Sequence, residues 1–311
     1  MASIAKRTLG RTGAEITNLG YGSMELRAGG RSGNLTDDDA GKMLNAVLDS
    51  GINLIDTSID YGLAEERIGK YISNRRHEYF LASKCGCLAE GQPVPKISGG
   101  GRSIHVFTKE NVIAGVEQSL RRMKTDHLDL VQLHASPSTQ VLEENGTLDA
   151  MKELQSQGKV RFLGMSGTIP NLSDHIAMGV FDVFQIPYSC IERDHENLIS
   201  AANKAGAGVF VRGGAAKGGP SGEHQEIERA KDALSAWDKA GMDDLLNGDT
   251  PMEFVLRFTS THPDMSTNIV GTSNSDHLQA NVSAVAKGPL PDDVYEEAKR
   301  RLAAAGSSPR A

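Results

Sequence analysis

The sequence predicts an α/β fold, a (β/α)8 TIM barrel in which eight parallel strands alternate with helices. Strand-like and helix-like segments alternate in strict order along nearly the whole chain. The strand-like segments are continuous apolar runs, which is typical of parallel strands buried on both faces. Eight strand and helix units can be counted, the number that closes this barrel. An open doubly wound sheet is the alternative, but "GYGSME" lacks the last glycine of its G-x-G-x-x-G fingerprint.

The N-terminal part contains a predicted hairpin, followed by the first barrel strand and helix. "KRTLGRTGAEI" indicates two short strands joined by a turn at "GRTG", and we expect this β-hairpin to plug the bottom of the barrel. "ITNLGYG", residues 16–22, is the predicted first barrel strand. "TDDDAGKMLNAVLDSG" predicts a helix, because Thr36 is a typical N-cap residue, acids follow in the first turn and Gly51 can end it.

The same alternation continues toward the C-terminus. Strands are predicted in "INLI", "YFLAS", "LDLVQL", "VRFLGM", "VFDVFQI", "AGVFV" and "TNIVG". Helices are predicted in "AEERIGKYISN", "TKENVIAGVEQSLRRM", "LDAMKELQSQG", "NLSDHIAMG", "ENLISAANKAG", "MEFVLRFTSTH" and "SDHLQANVSAVA". Residues 213–250 form an extended, Gly-rich and charged loop segment, whose charge spacing predicts a solvated helix with Trp237 as its core anchor. We expect a single domain over residues 1–311, with a second variable loop at 85–107 that contains "PVP" and "GGG".

Composition excludes several classes of function. The 311 residues carry a net charge of -7 with no basic run, which argues against a nucleic-acid or anionic-membrane surface as partner. No apolar stretch approaches the roughly 18 residues of a spanning helix, and no secretory signal is visible, so we expect a cytoplasmic protein. Three cysteines are too few for a disulfide framework. "CGC" at 85–87 has no second Cys or His pair at zinc spacing, so we expect no metal.

Polar side chains follow the apolar runs of six predicted strands. In this fold, active sites lie where the strands end and the following loops begin. A single polar residue at a strand end is more often a solvated loop residue, but an acid, a base and an imidazole from consecutive strands indicate a site. These six residues are Asp56, Lys84, His134, Ser166, Gln185 and Arg212.

Four side chains in this region predict proton chemistry. Asp56 and Lys84 are expected to form an ion pair that keeps the ammonium charged, and Tyr61 follows on a loop that can curl back over the barrel mouth. An ammonium about 4 Å from a phenolate stabilises it by about 4 kcal/mol at an effective dielectric near 20, which would lower the pKa of the tyrosine toward about 7. With His134 orienting the same oxygen, Tyr61 could protonate a carbonyl oxygen while another group attacks its carbon.

At these residues the sequence resembles the aldo-keto reductase superfamily, (β/α)8 enzymes that transfer a hydride from a nicotinamide cofactor to an aldehyde or ketone. Eight motifs in order carry the resemblance: "RTLGRTG", "LGYGSM", "NLIDTSIDYG", "ASK", "LVQLH", "GMSG", "FQIPYS" and "VGTSNSDHLQAN". The resemblance implies that Tyr61 is the general acid in reduction and the base in oxidation. It also implies that Lys84 lowers the pKa of Tyr61, Asp56 anchors Lys84, and His134 positions the carbonyl.

The resemblance also implies a set of cofactor-binding residues. Ser166 and Gln185 would hold the carboxamide, and Tyr188 would stack on the nicotinamide, although taken alone Tyr188 is more often a core residue. Arg212 and Gly213 would cover the pyrophosphate, while "GTSN" opens a helix whose N-H groups favour anions. The remaining candidates are Ser23 and Met24 of "LGYGSM", and Gly271, Thr272, Ser273, His277 and Asn281 at the adenosine end.

Three positions depart from the family pattern. Gly167 stands where relatives often have Asn, which removes one carboxamide hydrogen bond. His277 stands where an arginine often faces the adenosine 2'-phosphate, and residues 271–281 contain no Lys or Arg, although Lys217 or Lys287 could compensate. We therefore place NADP(H) only slightly ahead of NAD(H). Ala135 replaces a bulky aromatic residue and predicts a roomier pocket.

The predicted function is NAD(P)H-dependent reduction of an aldehyde or ketone to an alcohol, or the reverse oxidation, with a small-molecule carbonyl or alcohol as partner. Two alternatives stay open. One is a nucleotide-binding regulatory barrel with little turnover. The other is a lyase or isomerase that uses the same Tyr, Lys and His cluster without redox chemistry. The sequence leaves the substrate and the oligomeric state open.

Overall fold

The computed structural model describes residues 4–28, 35–94, 104–221 and 228–310. The "GGG" at residues 99–101 of the first variable loop lies outside them. Among the described residues, no helix combines the length and the apolar character that crossing a membrane requires. The three cysteines Cys85, Cys87 and Cys190 are buried free thiols, as their small number predicted.

Eight parallel strands form a closed barrel, which confirms the predicted fold. They are joined in the order β10, β3, β4, β5, β6, β7, β8, β9 around the barrel, where β1 and β2 denote the N-terminal hairpin. The strands are β1 Lys6–Thr8, β2 Glu15–Thr17, β3 Leu19–Gly22, β4 Leu54–Asp56, β5 Phe80–Cys85, β6 Leu128–Leu133, β7 Val160–Ser166, β8 Val183–Pro187, β9 Gly208–Arg212 and β10 Thr267–Val270.

Helices follow the barrel strands, and side-chain caps begin several of them. Thr36 accepts a hydrogen bond from the backbone N-H of Asp39, and Thr250 and Glu253 form a reciprocal capping box. The sequence missed the six-residue α4, which is too short to show a helical period, and α11, which follows the eighth repeat. The helices are α1 Asp37–Asp49, α2 Ala64–Tyr71, α3 Lys109–Met123, α4 Thr139–Glu144, α5 Thr147–Ser156, α6 Leu172–Ala177, α7 Glu196–Lys204, α8 Glu228–Lys239, α9 Pro251–Thr261, α10 Ser275–Ala286 and α11 Asp292–Ala304.

The segment 213–250 contains the predicted charged helix as α8. Trp237 on this helix is 1 % exposed, packs edge-on against Phe254 at 5.7 Å between ring centroids, and donates a hydrogen bond from Nε1 to Asp243 at 2.8 Å. The prediction of a core anchor is confirmed. Residues 222–227, in the middle of this segment, lie outside the described residues.

The hairpin covers the N-terminal ends of β9 and β10. The Arg7 guanidinium donates hydrogen bonds to the carbonyl oxygens of Ser260, His262 and Met265, which precede β10. Gly10 lies against the start of β9, where an added Cβ would be 2.2 Å from the backbone nitrogen of Gly208. The predicted first barrel strand is shorter than expected, because its first residues, through Thr17, pair within the hairpin instead.

The chain divides into two compact units. The first comprises residues 1–20, 185–270 and 276–311, and contains the hairpin, β9, β10 and a core with the buried side chains of Phe210, Phe254 and Phe258. The second comprises residues 21–184 and 271–275, and contains β4 to β7 with helices α1 to α6. The single domain over the whole chain stays a prediction.

The contact between Gly10 and Gly208 predicts a large stability effect at Gly10. Gly10 has a φ of +46° as well as the close backbone neighbour, so Gly10→Ala combines left-handed strain with an overlap. We expect a loss of about 3 kcal/mol in the free energy of unfolding, measured by urea denaturation. Gly51→Ala is the matched control, because Gly51 has a φ of +90° but nothing within 4 Å of an added Cβ. It should cost about 1 kcal/mol, and equal losses for the two variants would contradict the packing argument.

Candidate active site

The register of three neighbouring strands brings Asp56, Lys84 and Gln132 together inside the second unit. Asp56 is the last residue of β4 and pairs with Ala82 of β5, while Lys84 of β5 pairs with Gln132 of β6. The parallel arrangement directs the ends of β4, β5 and β6 to the same end of the barrel. His134 follows β6 directly, and its backbone N-H donates to the Cys85 carbonyl oxygen at 3.0 Å.

Lys84 and Asp56 form a buried ion pair, as predicted. Lys84 Nζ lies 2.6 Å from Asp56 Oδ2 and donates a second hydrogen bond to the Thr57 carbonyl oxygen at 2.9 Å. Gln132 Nε2 donates to the other carboxylate oxygen at 2.9 Å. Burial lowers the pKa of Lys84, but the electrostatic attraction and hydrogen bonds of Asp56 and Tyr61 raise it by more. The pKa of Lys84 therefore lies above its usual value. The ammonium therefore stays charged at neutral pH.

Tyr61 lies beside this ion pair on the loop after β4. Its backbone N-H donates to the Ser58 carbonyl oxygen at 3.1 Å, which curls the loop back toward the strand end. The Tyr61 ring centroid is 4.9 Å from Lys84 Nζ and 6.3 Å from the ring centroid of His134. The structure thus brings together the four side chains that the sequence proposed as a catalytic group.

The acidity of Tyr61 differs from the sequence expectation. Burial raises the pKa of the phenol, the Lys84 ammonium lowers it, and the carboxylates of Asp56 and Asp60 raise it again. The net result is a pKa above the ordinary value of a phenol, so the expected lowering toward about 7 is wrong. The expectation from sequence considered only the attraction of the Lys84 ammonium. The loss of hydration on burial and the two nearby carboxylates act in the opposite direction and raise the pKa. Tyr61 is accordingly a protonated phenol at neutral pH.

His134 has neighbours that sequence reasoning missed. Its Nδ1 lies 3.1 Å from Cys87 Sγ and 3.8 Å from Asp60 Oδ1, and its ring meets the ring of His105 edge-on at 5.3 Å between centroids. Asp60 was not among the candidate residues, and no spacing signal linked Cys87 to His105. The first of these omissions matters for the charge of the site, because Asp60 adds a second carboxylate near Tyr61.

The second unit contains several of the predicted cofactor residues. Ser23 follows β3 and is fully buried, and its hydroxyl has no hydrogen-bond partner among the residues that the structure describes. Ser166 ends β7 and is 5 % exposed. Thr272 accepts a hydrogen bond at its carbonyl oxygen from the buried Tyr21 hydroxyl at 2.7 Å. At Gly271 an added Cβ would be 2.7 Å from the Gly22 carbonyl oxygen, so this close approach requires glycine. Met24 and Ser273 are partly exposed beside these residues.

The first unit contains the other predicted cofactor residues. Gln185 lies buried in β8, Arg212 ends β9 partly exposed, and Gly213 follows with a φ of +79° that favours glycine. Tyr188 has no exposed area; its ring contacts the rings of Phe258 and His262, and its hydroxyl lies 3.3 Å from the Tyr295 hydroxyl within this unit. These contacts favour the interpretation of Tyr188 as a core residue over its role as a ring that stacks on the nicotinamide.

The first turn of α10 carries little positive charge. His277 is exposed there, Asn281 follows one turn later and is partly exposed, and Asp276 adds an acid. Lys287, one of two lysines that could have compensated, pairs with Asp249 at 3.0 Å and with Glu253 at 2.6 Å. These contacts weaken the case for a strong 2'-phosphate site around His277.

Two positions that depart from the family pattern have unusual packing or backbone conformation. An added Cβ at Gly167 would lie 2.8 Å from Leu172 Cδ1 and 3.3 Å from Met165 Cγ, so a larger residue here would require the Leu172 side chain to shift. Ala135 and Ser136, directly after His134, have φ values of +73° and +50°. Left-handed backbone at two residues that are not glycine is strained, and such strain clusters at functional sites.

A separate cavity of about 370 Å³ lies at the N-terminal ends of β5, β6 and β7, opposite the proposed catalytic residues. It is lined by Arg76, Arg161 and Asp129 among others. Asp129 pairs with each of the two arginines at 2.6 Å, so the polar groups of this cavity satisfy one another. The candidate active site is therefore assigned to the C-terminal ends of the strands and not to this cavity.

Comparison with known proteins identifies the class to which this barrel and its side-chain cluster belong. The family model described as "Aldo/keto reductase family" matches residues 18–302. The chain is similar to an uncharacterized oxidoreductase, YqkF, of Bacillus subtilis, with 27 % identity over 90 % of each chain. L-galactose dehydrogenase of Arabidopsis thaliana is 27 % identical over 92 % of this chain and 90 % of its own length. Among solved structures, the holo form of aldo-keto reductase AKR11C1 from Bacillus halodurans superposes with a TM-score of 0.79 and 27 % identity, covering 96 % of both chains.

The chain belongs to the aldo/keto reductase family and is an oxidoreductase of that family. The family uses NAD(P)H and acts on small-molecule carbonyl compounds. The resemblance stated from the eight sequence motifs is thereby confirmed.

The electrostatic surroundings of Tyr61 predict that its phenol does not titrate near neutral pH. The pKa of Tyr61 is higher in the folded protein than in the unfolded chain, so the protonated phenol stabilises the folded state. This stabilisation is fully present below about pH 10, the pKa of tyrosine in the unfolded chain, and is lost as the pH rises through the folded pKa. NMR of ¹³C-labelled tyrosine, with the Tyr61 signal assigned by its loss in Tyr61→Phe, measures this directly. We expect no titration step between pH 6 and pH 9. A midpoint close to 7 would show instead that the Lys84 ammonium dominates.

Proposed function

We propose that the protein reduces an aldehyde or ketone to an alcohol with NAD(P)H, or runs the reverse oxidation, with Tyr61 as the general acid and base. The observation that carries this proposal is the Tyr61 phenol beside the buried pair of Lys84 and Asp56. A phenol that is protonated at neutral pH carries the proton that a general acid donates. The neighbouring ammonium stabilises the phenolate that remains after the proton has left.

Each of the four side chains has a separate role in this proposal. Tyr61 donates its O-H proton to the carbonyl oxygen in reduction, and its phenolate takes the alcohol proton in oxidation. Lys84 stabilises the phenolate, and Asp56 holds Lys84 charged and in place. His134 donates a hydrogen bond that orients the carbonyl oxygen toward Tyr61. The chemistry supplied by a bound nicotinamide is hydride transfer to the carbonyl carbon.

The residues at the strand ends fit a nicotinamide dinucleotide. The buried Ser23 hydroxyl has capacity for a further hydrogen bond, and at Gly213, which has a φ of +79°, nothing lies within 4 Å of an added Cβ, so a ligand can approach the backbone closely there. We propose that Ser166 and Gln185 bind the carboxamide, as a hydroxyl and an amide suit a group with both donors and acceptors. Arg212 would bind the pyrophosphate, with Met24, Thr272, Ser273, His277 and Asn281 toward the adenosine.

We propose a weak preference for NADP(H) over NAD(H). The family resemblance favours NADP(H), but Lys287 is paired elsewhere and Asp276 adds negative charge in the first turn of α10. A charge-assisted hydrogen bond from a guanidinium contributes about 1.5 to 3 kcal/mol, and without it discrimination should stay below about tenfold. Lys217 remains as a residue that could contact the phosphate.

The substrate we propose is a small carbonyl compound or an aldose that does not need an aromatic pocket wall. Ala135 leaves room beside His134, and one relative is named as an L-galactose dehydrogenase. A panel should therefore compare simple aldehydes with aldoses such as L-galactose. We further propose that the protein acts in the cytoplasm, where its three free thiols would stay reduced.

Tyr61→Phe tests the proton donor. The phenyl ring keeps the packing on Lys84 but has no proton to give, so turnover of the best aldehyde should fall by about 10² to 10⁴-fold while cofactor binding is kept. Tyr71→Phe is the matched control, because the Tyr71 hydroxyl is exposed and bonds to Asp38 and Lys70, outside the proposed catalytic group. Unchanged turnover in Tyr61→Phe would remove Tyr61 from the role of acid. If the native protein binds the cofactor but reduces no aldehyde, the alternative of a nucleotide-binding regulatory protein with little turnover is favoured.

His277→Arg tests the cofactor assignment. Titration of the native protein with NADPH and with NADH, followed by cofactor fluorescence, should give dissociation constants within about tenfold of each other. An arginine at position 277 should tighten NADPH binding by about tenfold and leave NADH unchanged, because only NADPH carries the 2'-phosphate. An equal change in the dissociation constants of NADPH and NADH would show that the adenosine 2'-phosphate does not bind near position 277. Binding of neither cofactor would end the reductase proposal.

A further inference from the structure

Cys87, His105 and His134 form a cluster of metal-ligating side chains beside the proposed catalytic residues. Each offers one sulfur or nitrogen atom, and these three atoms lie within 4.8 Å of one another. Cys87 is 2 % exposed, while both histidines are partly exposed, so the cluster is open on the histidine side. Cys87 Sγ and His134 Nδ1 are 3.1 Å apart, close to the separation of two ligands on one zinc ion.

Backbone contacts bring these side chains together. Cys87 and His105 face each other in an antiparallel bridge, flanked by hydrogen bonds from Leu88 N to Ile104 O at 2.9 Å and from Val106 N to Gly86 O at 2.6 Å. Directly opposed residues in such a bridge hold their side chains close on one face. The ring of Phe107 stacks on His105 at 6.2 Å and fixes its position further.

His134 is held against this bridge by the barrel itself. Its backbone N-H donates to the Cys85 carbonyl oxygen, which joins the end of β6 to the end of β5 two residues before Cys87. The cluster is therefore positioned by two independent backbone connections. The sequence expectation of no metal missed it, because His134 lies 47 residues from Cys87 and no motif spacing joins them.

The donor set suits a borderline-soft transition-metal ion. Zn²⁺ takes thiolate and imidazole ligands at about 2.0 to 2.3 Å in tetrahedral geometry, whereas copper sites with one thiolate and two imidazoles are trigonal with a weak axial Met. Three protein ligands leave a fourth position, as in zinc sites that bind an exchangeable water. Asp60 Oδ1, at 3.8 Å from His134 Nδ1, can supply this ligand or orient the imidazole. Binding would release the thiol proton of Cys87 to solvent.

We propose that Cys87, His105 and His134 bind one Zn²⁺ ion at the mouth of the barrel, with water or Asp60 in the fourth position. Coordination engages the imidazole that orients the carbonyl in the proposed reduction and, with the thiol proton of Cys87 released, adds one net positive charge near Tyr61. The zinc-bound protein is therefore inactive, and removal of the ion restores activity. This regulatory consequence rests on the proposed function, whereas metal binding itself does not.

The test begins with metal binding to the full chain, without cofactor or substrate. Protein stripped with a chelator is titrated with Zn²⁺ in competition with a chromogenic chelator, and separately with Co²⁺ as a spectroscopic probe. We expect one equivalent of Zn²⁺ to bind. The Co²⁺ protein should show tetrahedral d-d bands and a thiolate charge-transfer band. No competition for Zn²⁺, or a Co²⁺ spectrum without the thiolate band, would overturn the site.

Two variants and a control assign the ligands. Cys87→Ser and His105→Gln should each weaken Zn²⁺ binding by more than about 100-fold, since loss of an outer-shell partner alone costs 10 to 100-fold. Cys190→Ala removes a buried thiol of the other unit and should bind Zn²⁺ as the native protein does. Circular dichroism and thermal unfolding check that each variant is folded. Native affinity in both ligand variants would show that Zn²⁺ binds elsewhere.

Turnover then tests the regulatory consequence separately. The zinc concentration that halves aldehyde reduction should rise by more than about 100-fold in His105→Gln, and a chelator should restore native turnover. Full turnover with Zn²⁺ bound would overturn the inhibition. A protein that binds Zn²⁺ through Cys87 but reduces no carbonyl would sink the proposed function and leave the metal site standing.

Discussion

The buried ion pair between Lys84 and Asp56 is the constraint on which the site depends. Removing both charges from water is costly, and the pair is tolerable because the Lys84 ammonium and both carboxylate oxygens of Asp56 have hydrogen-bond partners. Lys84 donates to the Thr57 carbonyl oxygen as well as to Asp56, and Gln132 donates to the second carboxylate oxygen. These contacts need β4, β5 and β6 in one register. A slip between these strands would leave a buried charge unpaired, so the fold and the candidate chemistry share a requirement.

The same pair decides what Tyr61 can do. Burial and two carboxylates favour the neutral phenol, while the ammonium favours the phenolate, and the balance leaves the proton on the oxygen at neutral pH. An acid that keeps its proton until a basic oxygen arrives is suited to reduction. A neighbouring cation then lowers the energy of the charge that develops. Asp60 belongs to this balance, since it lies near both Tyr61 and His134.

Much of the fold was predictable, because periodicity and caps are local. Thr36 begins its helix, Trp237 anchors α8, and the eight apolar runs become the eight barrel strands. Long-range packing was less predictable. Tyr188 matched a family motif, yet its ring is enclosed by Phe258, His262 and Tyr295. Lys287 is paired with Asp249 and Glu253, which no spacing rule between distant segments could indicate.

The sequence by itself determined the class of fold, the family and the four side chains of the candidate catalytic group. The order of the strands along the chain is enough to group these four side chains, because parallel strands direct their C-terminal ends to one end of a barrel. Only the tertiary structure decided the direction of the Tyr61 pKa and the meeting of Cys87, His105 and His134. Both depend on distances and solvent exclusion that are set where separate loops pack together. Desolvation and the mutual approach of ligands are properties of that packing, and local sequence patterns do not encode them.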